Sequence, residues 1–252
     1  MYVCKTFPVS KSNIRDLGGY PTLDGKITNF KVFVRASIPY MLHEDEFEIL
    51  INYGIRKYVD LRTKTYEKPE ILNIYSDVKY VNLPVILREG SDLTFEDTDF
   101  NWGDIYIHTL EKKTNWIKTV IDELSKDEGT SLFHCTCGKD RTGIISMLLL
   151  LIAGVRQEDI IADYTISEIY VRNLDNSILK KLPNSIKKNG SIDFNAAFFS
   201  TNHVNIEKAL HFINENYSNV YNYLNHCNVD DISITKIRDK FLQNTEHRGI
   251  NG

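Results

Sequence analysis

Most of the chemistry in this chain is concentrated in ten residues, His134-Cys135-Thr136-Cys137-Gly138-Lys139-Asp140-Arg141-Thr142-Gly143. They follow a short β-rich run, Thr130 to His134, and lead into an apolar run from Ile144 to Val155, so they join a strand to a buried helix. A helix start presents unpaired N–H groups at the positive end of the helix dipole, a ready seat for a phosphate-like anion. Cys135, at the start of the loop, puts its sulfur beneath that anion. A helix N-terminus and nearby cations lower a thiol pKa from about 8.5 to roughly 3.5–7.5, so Cys135 is expected to be a thiolate at neutral pH. Arg141 closes the loop with a planar fork that grips two phosphate oxygens, and residues 136–141 together form the expected phosphate seat.

Thiolate, amides and fork are what in-line attack on a phosphate ester requires. A phosphocysteine intermediate splits hydrolysis into two displacements, the first needing an acid for the leaving oxygen and the second a base for water. Asp140 lies within the loop and can serve both. Asp92, Asp97, Asp99 and Asp104 compete with it from an acidic stretch, Arg88 to Asp104, read as a long loop or lid. The aromatics of that stretch, Phe95, Phe100 and Trp102, read as core anchors or as substrate clamps.

Other readings of the same residues are weaker. Cys135 as an inert buried thiol would leave Gly138 and Arg141 unexplained. A zinc site would need a second Cys/His pair at finger-like spacing, and His226 and Cys227 stand too far along the chain. A nucleotide-binding loop fails twice, with Phe133 where Gly is needed and Asp140 where Ser or Thr is needed. No metal and no cofactor is therefore expected. Cys137 reads as structural or as a redox partner of Cys135, although a disulfide at this spacing would be strained.

Cys135-x5-Arg141-Thr142 resembles the signature of the cysteine-dependent protein tyrosine phosphatase superfamily. The fuller His-Cys-x-x-Gly-Lys-Asp-Arg form is similar to its atypical bacterial group, which includes the mycobacterial secreted tyrosine phosphatase B and its Listeria relative. Asn13-Ile14-Arg15-Asp16-Leu17-Gly18-Gly19, Asp60-Leu61-Arg62 and a helical end near Ile237-Arg238 fit the same group. The resemblance implies a nucleophilic Cys135, a phosphate-binding Arg141, and Asp140 as general acid. It also implies a Lys139 that adds charge toward the substrate or pairs with Asp60. Phosphotyrosine, phosphoserine or phosphothreonine in proteins and phosphoinositides are the implied substrates, with phosphate as product. A phosphate-recognition module without turnover is the alternative. Cys137 departs from the small or apolar residue expected there, and the Trp-Pro-Asp acid loop of the eukaryotic enzymes is not visible.

The rest of the chain must position that loop. Its 252 residues carry 25% charged and 42% hydrophobic side chains with a net charge of -4, ordinary for a soluble enzyme and no invitation to nucleic acid. Cysteines at 4, 135, 137 and 227 are too sparse for a disulfide scaffold. The start, Met1 to Pro8, shows no basic head and apolar run, so a cytoplasmic protein with reduced thiols is expected unless a leader has been trimmed. The run from Ile144 to Val155 reaches roughly 18 Å, short of the ~30 Å of a bilayer core, so no stable membrane insertion is expected.

Strands are expected within Lys26–Arg35, Ile55–Leu61, Val78–Val85 and Thr130–His134. Helices are expected over Glu44–Tyr53, Glu111–Ser125, Glu158–Asn173, Val204–Tyr217, Val220–His226 and Ser233–Gln243. Asn13 to Tyr20 reads as a helix start or a turn closed by paired glycines. Asp60 and Arg62 read as an ion pair or as support for the loop, with His134 and Thr142 as further supports. Lys180, Lys181, Lys187 and Lys188 read as a solvated face or a basic rim. The whole implies one α/β domain over 1–252: a central, mostly parallel sheet flanked by helices, with the catalytic loop at 134–143 and a mainly helical extension at 156–243.

Overall fold

The computed structural model describes residues 13–38, 44–63, 70–87, 101–126, 129–173, 187–188, 191–192 and 199–242. The sequence pattern resolves into a five-stranded sheet of order β1-β2-β5-β3-β4. Its strands are β1 (Arg15–Asp16), β2 (Phe33–Ala36), β3 (Ile55–Asp60), β4 (Lys79–Asn82) and β5 (Thr130–His134). Four of them run parallel, and β1 lies antiparallel on the edge beside β2. Thus α/β architecture with a mostly parallel sheet is what the chain adopts. A two-residue antiparallel pair, β6 (Lys187–Lys188) and β7 (Ser191–Ile192), stands apart from this sheet.

The helices are α1 (Glu44–Tyr53), α2 (Trp102–Lys112), α3 (Thr114–Ser125), α4 (Asp140–Ile152), α5 (Gln157–Val171), α6 (His203–Tyr217), α7 (Val220–His226) and α8 (Asp231–Leu242). Two of them correct the expected single helix over Glu111–Ser125. Residues 102–110, assigned to the acidic loop and the stretch after it, are helical because Asn101 caps them. Its Oδ1 accepts from Gly103 N and Asp104 N, satisfying two amides that would otherwise be orphaned. The edge strand β1 is the other correction, since Asn13 to Tyr20 reads as a helix start or a turn, and it is a short strand followed by a turn.

Alternation along the strands sorts the core into two layers. Phe33, Val59 and Phe133 face α2–α5 and the C-terminal helices. Val34, Ala36, Tyr58 and Leu132 face α1 and the 3-10 turn Glu70–Asn73. The central helix α4 is apolar nearly all round, and every residue in it but Arg141 and Leu151 is buried. It is walled by α5, α7 and α8. In turn α6 packs on α2 and α5, and α8 on α3, so the C-terminal helices share the main core.

Candidate active site

The carboxyl ends of β2, β3 and β5 converge on one edge of the sheet, the place where open α/β folds bind ligands. There the chain leaves β5 through 135–139 and enters α4 at Asp140. Two features make the bend possible. Gly138 has φ +66°, and a Cβ on it would lie 2.6 Å from the Ala36 carbonyl oxygen and the Ser37 nitrogen, so no other residue fits. Lys139 at the N-cap offers no acceptor to the first turn of α4, which leaves those amides open to an anion.

Cys135 is buried at the mouth of this turn, and its carbonyl faces His134 Nδ1 at 3.0 Å. Thr136 accepts from Ile38 N through its carbonyl at 3.2 Å, tying the loop to the end of β2. Arg141, half-buried, reaches across to donate from Nη1 to the Leu61 carbonyl at 3.4 Å. Its Nε and the hydroxyl of Thr142 are buried without a hydrogen-bond partner among the described residues. A buried donor left unmade costs about 1–3 kcal/mol, so such atoms mark where a ligand belongs.

Cys137 is buried and its thiol is pushed up to about 12. Burial is the main cause, Cys135 and Asp140 add to it, and Lys139 and Arg141 only partly offset it. The Cys135, Cys137 and Cys227 thiols are all free.

Lys139 does not pair with Asp60, one of its two expected roles, nor is it exposed. Its Nζ lies 2.7 Å from Asp140 Oδ1, donates to the Ser200 carbonyl at 3.0 Å, and sits 4.1 Å from the Trp102 ring centroid. Burial requires such partners for an ammonium, and the helix α2 supplies one of them. Trp102 is thus a buried core residue that packs against Lys139, while Phe95 and Phe100 lie outside the described residues. Among the competing acids, Asp104 sits on the outer face of α2, paired with Lys208 at 2.7 Å. Asp92, Asp97 and Asp99 lie outside the described residues, as do Lys180 and Lys181.

Asp60 and Arg62 form a buried bidentate pair, Nη2 to Oδ2 at 2.6 Å and Nε to Oδ1 at 2.9 Å. Strand register sets Asp60 beside His134, with Oδ1 at 3.6 Å from Nε2. Burial alone would raise the Asp60 pKa, but His134 and the Arg62 fork outweigh it and hold the carboxyl below its ordinary value. Burial drives His134 the other way, down to about 4; Asp60 opposes this, and the charges of Arg62 and Arg141 reinforce it. The histidine under Cys135 is therefore neutral at pH 7.

A pH dependence of stability follows. Because folding lowers the His134 pKa, the unfolded chain binds the extra proton between pH 4 and about 6.5, and stability rises with pH across that window. The full gain is present above about pH 6.5 and amounts to about 3 kcal/mol at most. Urea unfolding of wild type and His134→Gln at pH 4.5, 5.5 and 7 should show the slope reduced by close to one proton in the variant. An unchanged slope contradicts the assignment.

The residues that hold the loop from behind were missed as such by sequence reasoning. Asn13 donates from Nδ2 to the carbonyls of Cys137 and Gly138 at 3.1 and 3.2 Å. Arg35 donates to the Gly138 carbonyl at 2.8 Å and pairs with Asp163 on α5. Arg15 pairs with the same carboxylate at 2.7 Å and donates to Asn13 Oδ1, while Tyr20 donates to Asp163 at 3.1 Å. Burial disfavours the Asp163 charge, but two guanidinium groups hold its pKa below the ordinary value. Asp16 instead serves the turn, accepting from Gly18 N at 2.6 Å and Lys31 N at 2.8 Å. Among the described residues, no three His, Cys, Asp or Glu side chains gather as a metal site. Nor is any described helix long and apolar enough to cross a membrane.

Comparison with known proteins places the chain among relatives. A tyrosine-protein phosphatase of Nostoc commune is 34% identical over 144 residues, 55% of this chain and 49% of the relative. A Cupriavidus necator protein, by its name a candidate tyrosine-protein phosphatase, is 30% identical over 166 residues, 61% of this chain and 59% of the relative. The chain thus spans about half to three-fifths of the length of these curated relatives. The crystal structure of P. aeruginosa TpbA aligns over 70% of this chain and 93% of that one at 15% identity, with a TM-score of 0.39, too loose to carry an argument. The profile of the tyrosine phosphatase family matches residues 9–243, and the chain belongs to that family.

Proposed function

We propose that the chain hydrolyses phosphate monoesters, phosphotyrosine in proteins foremost, through a phosphocysteine intermediate on Cys135. The sulfur attacks phosphorus in line, the P–O bond to the ester oxygen breaks, and Asp140 gives that oxygen its proton. Water then attacks the phosphocysteine, Asp140 takes a proton from it, and the S–P bond breaks to release phosphate. Arg141 grips the equatorial oxygens throughout. The observation that carries this reading is the pair of buried unpaired donors, Arg141 Nε and the Thr142 hydroxyl, beside a buried free thiol at an uncapped helix start.

Phosphoinositides are the second reading. It is weakened by the engagement of Lys139 with Asp140, Ser200 and Trp102, which already partner the charge that a second phosphate group would need. A recognition module without turnover would use the unpaired donors to hold its anion but has no need of a free thiol beside them. Nitrophenyl phosphate should be turned over at a rate unchanged by a chelator, and a phosphotyrosine peptide at least about tenfold faster in kcat/KM than phosphoinositide vesicles, a difference of about 1.4 kcal/mol. Absence of turnover leaves the recognition module standing, and a reversed preference leaves the lipid reading.

A further inference from the structure

Tyr106 lies in the middle of α2 with its side chain fully buried. Its Oη donates to Asp140 Oδ1 at 2.6 Å and lies 2.8 Å from the hydroxyl of Tyr164 on α5. The Lys139 ammonium stands 2.7 Å from the same Oδ1. Both donors therefore converge on one oxygen of the carboxyl. No described group donates to the other oxygen, Oδ2, and the side chain keeps a small opening to solvent, 11% of its surface. Burial, together with the Asp140 charge and the Tyr164 contact, pushes the Tyr106 phenol well above its ordinary value, so it remains a donor throughout the working range. Its one proton goes to Asp140, which makes Tyr164 the donor at the second contact.

We infer that Tyr106 is a positioning residue for proton transfer: by occupying Asp140 Oδ1 together with Lys139, it leaves Oδ2 as the oxygen whose proton goes to the leaving group. The inference rests on the reading of Asp140 as the acid. An acid held at one oxygen presents the other at a fixed angle, and orientation of this kind is part of what makes acid catalysis efficient. Two layers build the arrangement. The cap at Asn101 sets where α2 begins, and α5 presents Tyr164 edge-on to the Tyr106 ring, with centroids 6.1 Å apart and planes at 84°.

Tyr106→Phe removes one oxygen and keeps the ring. The expected result is a loss in kcat of about 10- to 100-fold on an alkyl phosphate, whose leaving group needs the proton, against less than about threefold on nitrophenyl phosphate. Tungstate affinity should stay within about twofold of wild type. In an Asp140→Asn background the same change should have no further effect on either substrate. Tyr164→Phe, which removes the donor to Tyr106 and keeps the ring, should shift the two substrates in the same direction by a smaller factor and keeps the test open should Tyr106→Phe not fold. Equal losses on both substrates, or a further selective loss in the Asp140→Asn background, overturn the inference. If Asp140→Asn alone is selective for the alkyl ester and Tyr106→Phe is not, only the role of Tyr106 falls. If Asp140→Asn treats both substrates alike, the acid assignment falls and the inference with it.

Discussion

Cys135→Ser is expected to lower kcat on nitrophenyl phosphate by at least about a thousandfold while leaving tungstate affinity within a few-fold of wild type. The two effects separate because they depend on different atoms. Turnover needs a nucleophile, and a serine hydroxyl is a far weaker acid than a thiol and stays un-ionised at neutral pH. Anion binding rests on Arg141 and the open amides at the start of α4, which the substitution leaves in place. Initial rates and calorimetric titration on one preparation measure both. A variant that keeps more than a few per cent of activity removes Cys135 as the nucleophile. One that loses tungstate as well shows that the sulfur holds the loop together.

The second large effect is expected far from the thiol. Asp163→Ala leaves Arg15 and Arg35 buried without the carboxylate they share. Removing one partner of a buried ion pair costs about 3–5 kcal/mol, because the remaining charge has nowhere to go. Activity should fall with it, at temperatures where the variant is still folded, because Arg35 holds the Gly138 carbonyl and Arg15 holds Asn13. Asp163→Asn keeps the shape and some hydrogen bonds and should lie between. The folded pKa of Asp163 is depressed, so its contribution is present above the unfolded value near 3.9 and is lost as pH falls through the lower folded value. Urea midpoints of the three proteins at pH 7 decide the matter. A loss in Asp163→Ala under about 1 kcal/mol contradicts the network.

Cys135, Arg141 and the helix they open are legible in sequence because they are contiguous. One strand, one turn and one apolar run suffice to place Cys135, Gly138 and Arg141 relative to each other. The support is not legible in the same way, since Asn13, Arg35, Tyr106 and Asp163 come from segments far apart in the chain whose meeting depends on the fold. Signals existed for some of them. Arg35 shares a strand face with Phe33, so its charge had to be buried and partnered. Asp159, Asp163 and Ser167 recur every fourth residue, a polar stripe that α5 turns inward, all three being buried. Asn101 followed by Trp-Gly-Asp carries the cap that begins α2 at Trp102, well before the helix expected from Glu111. The partners of Lys139 had no such signal, because its two expected roles both pointed away from its neighbour in sequence.

The tethers at Asn13 and Arg35 have an electrical consequence. A trans peptide is planar, with its oxygen and hydrogen on opposite sides. Holding the Cys137 and Gly138 oxygens toward the sheet therefore turns the N–H bonds of Gly138 and Lys139 the other way, toward the hollow of the turn. Neither plane can rotate without breaking a contact to a buried side chain. The dipoles stand aligned before any substrate arrives, and an incoming dianion meets a field that needs no rearrangement to receive it.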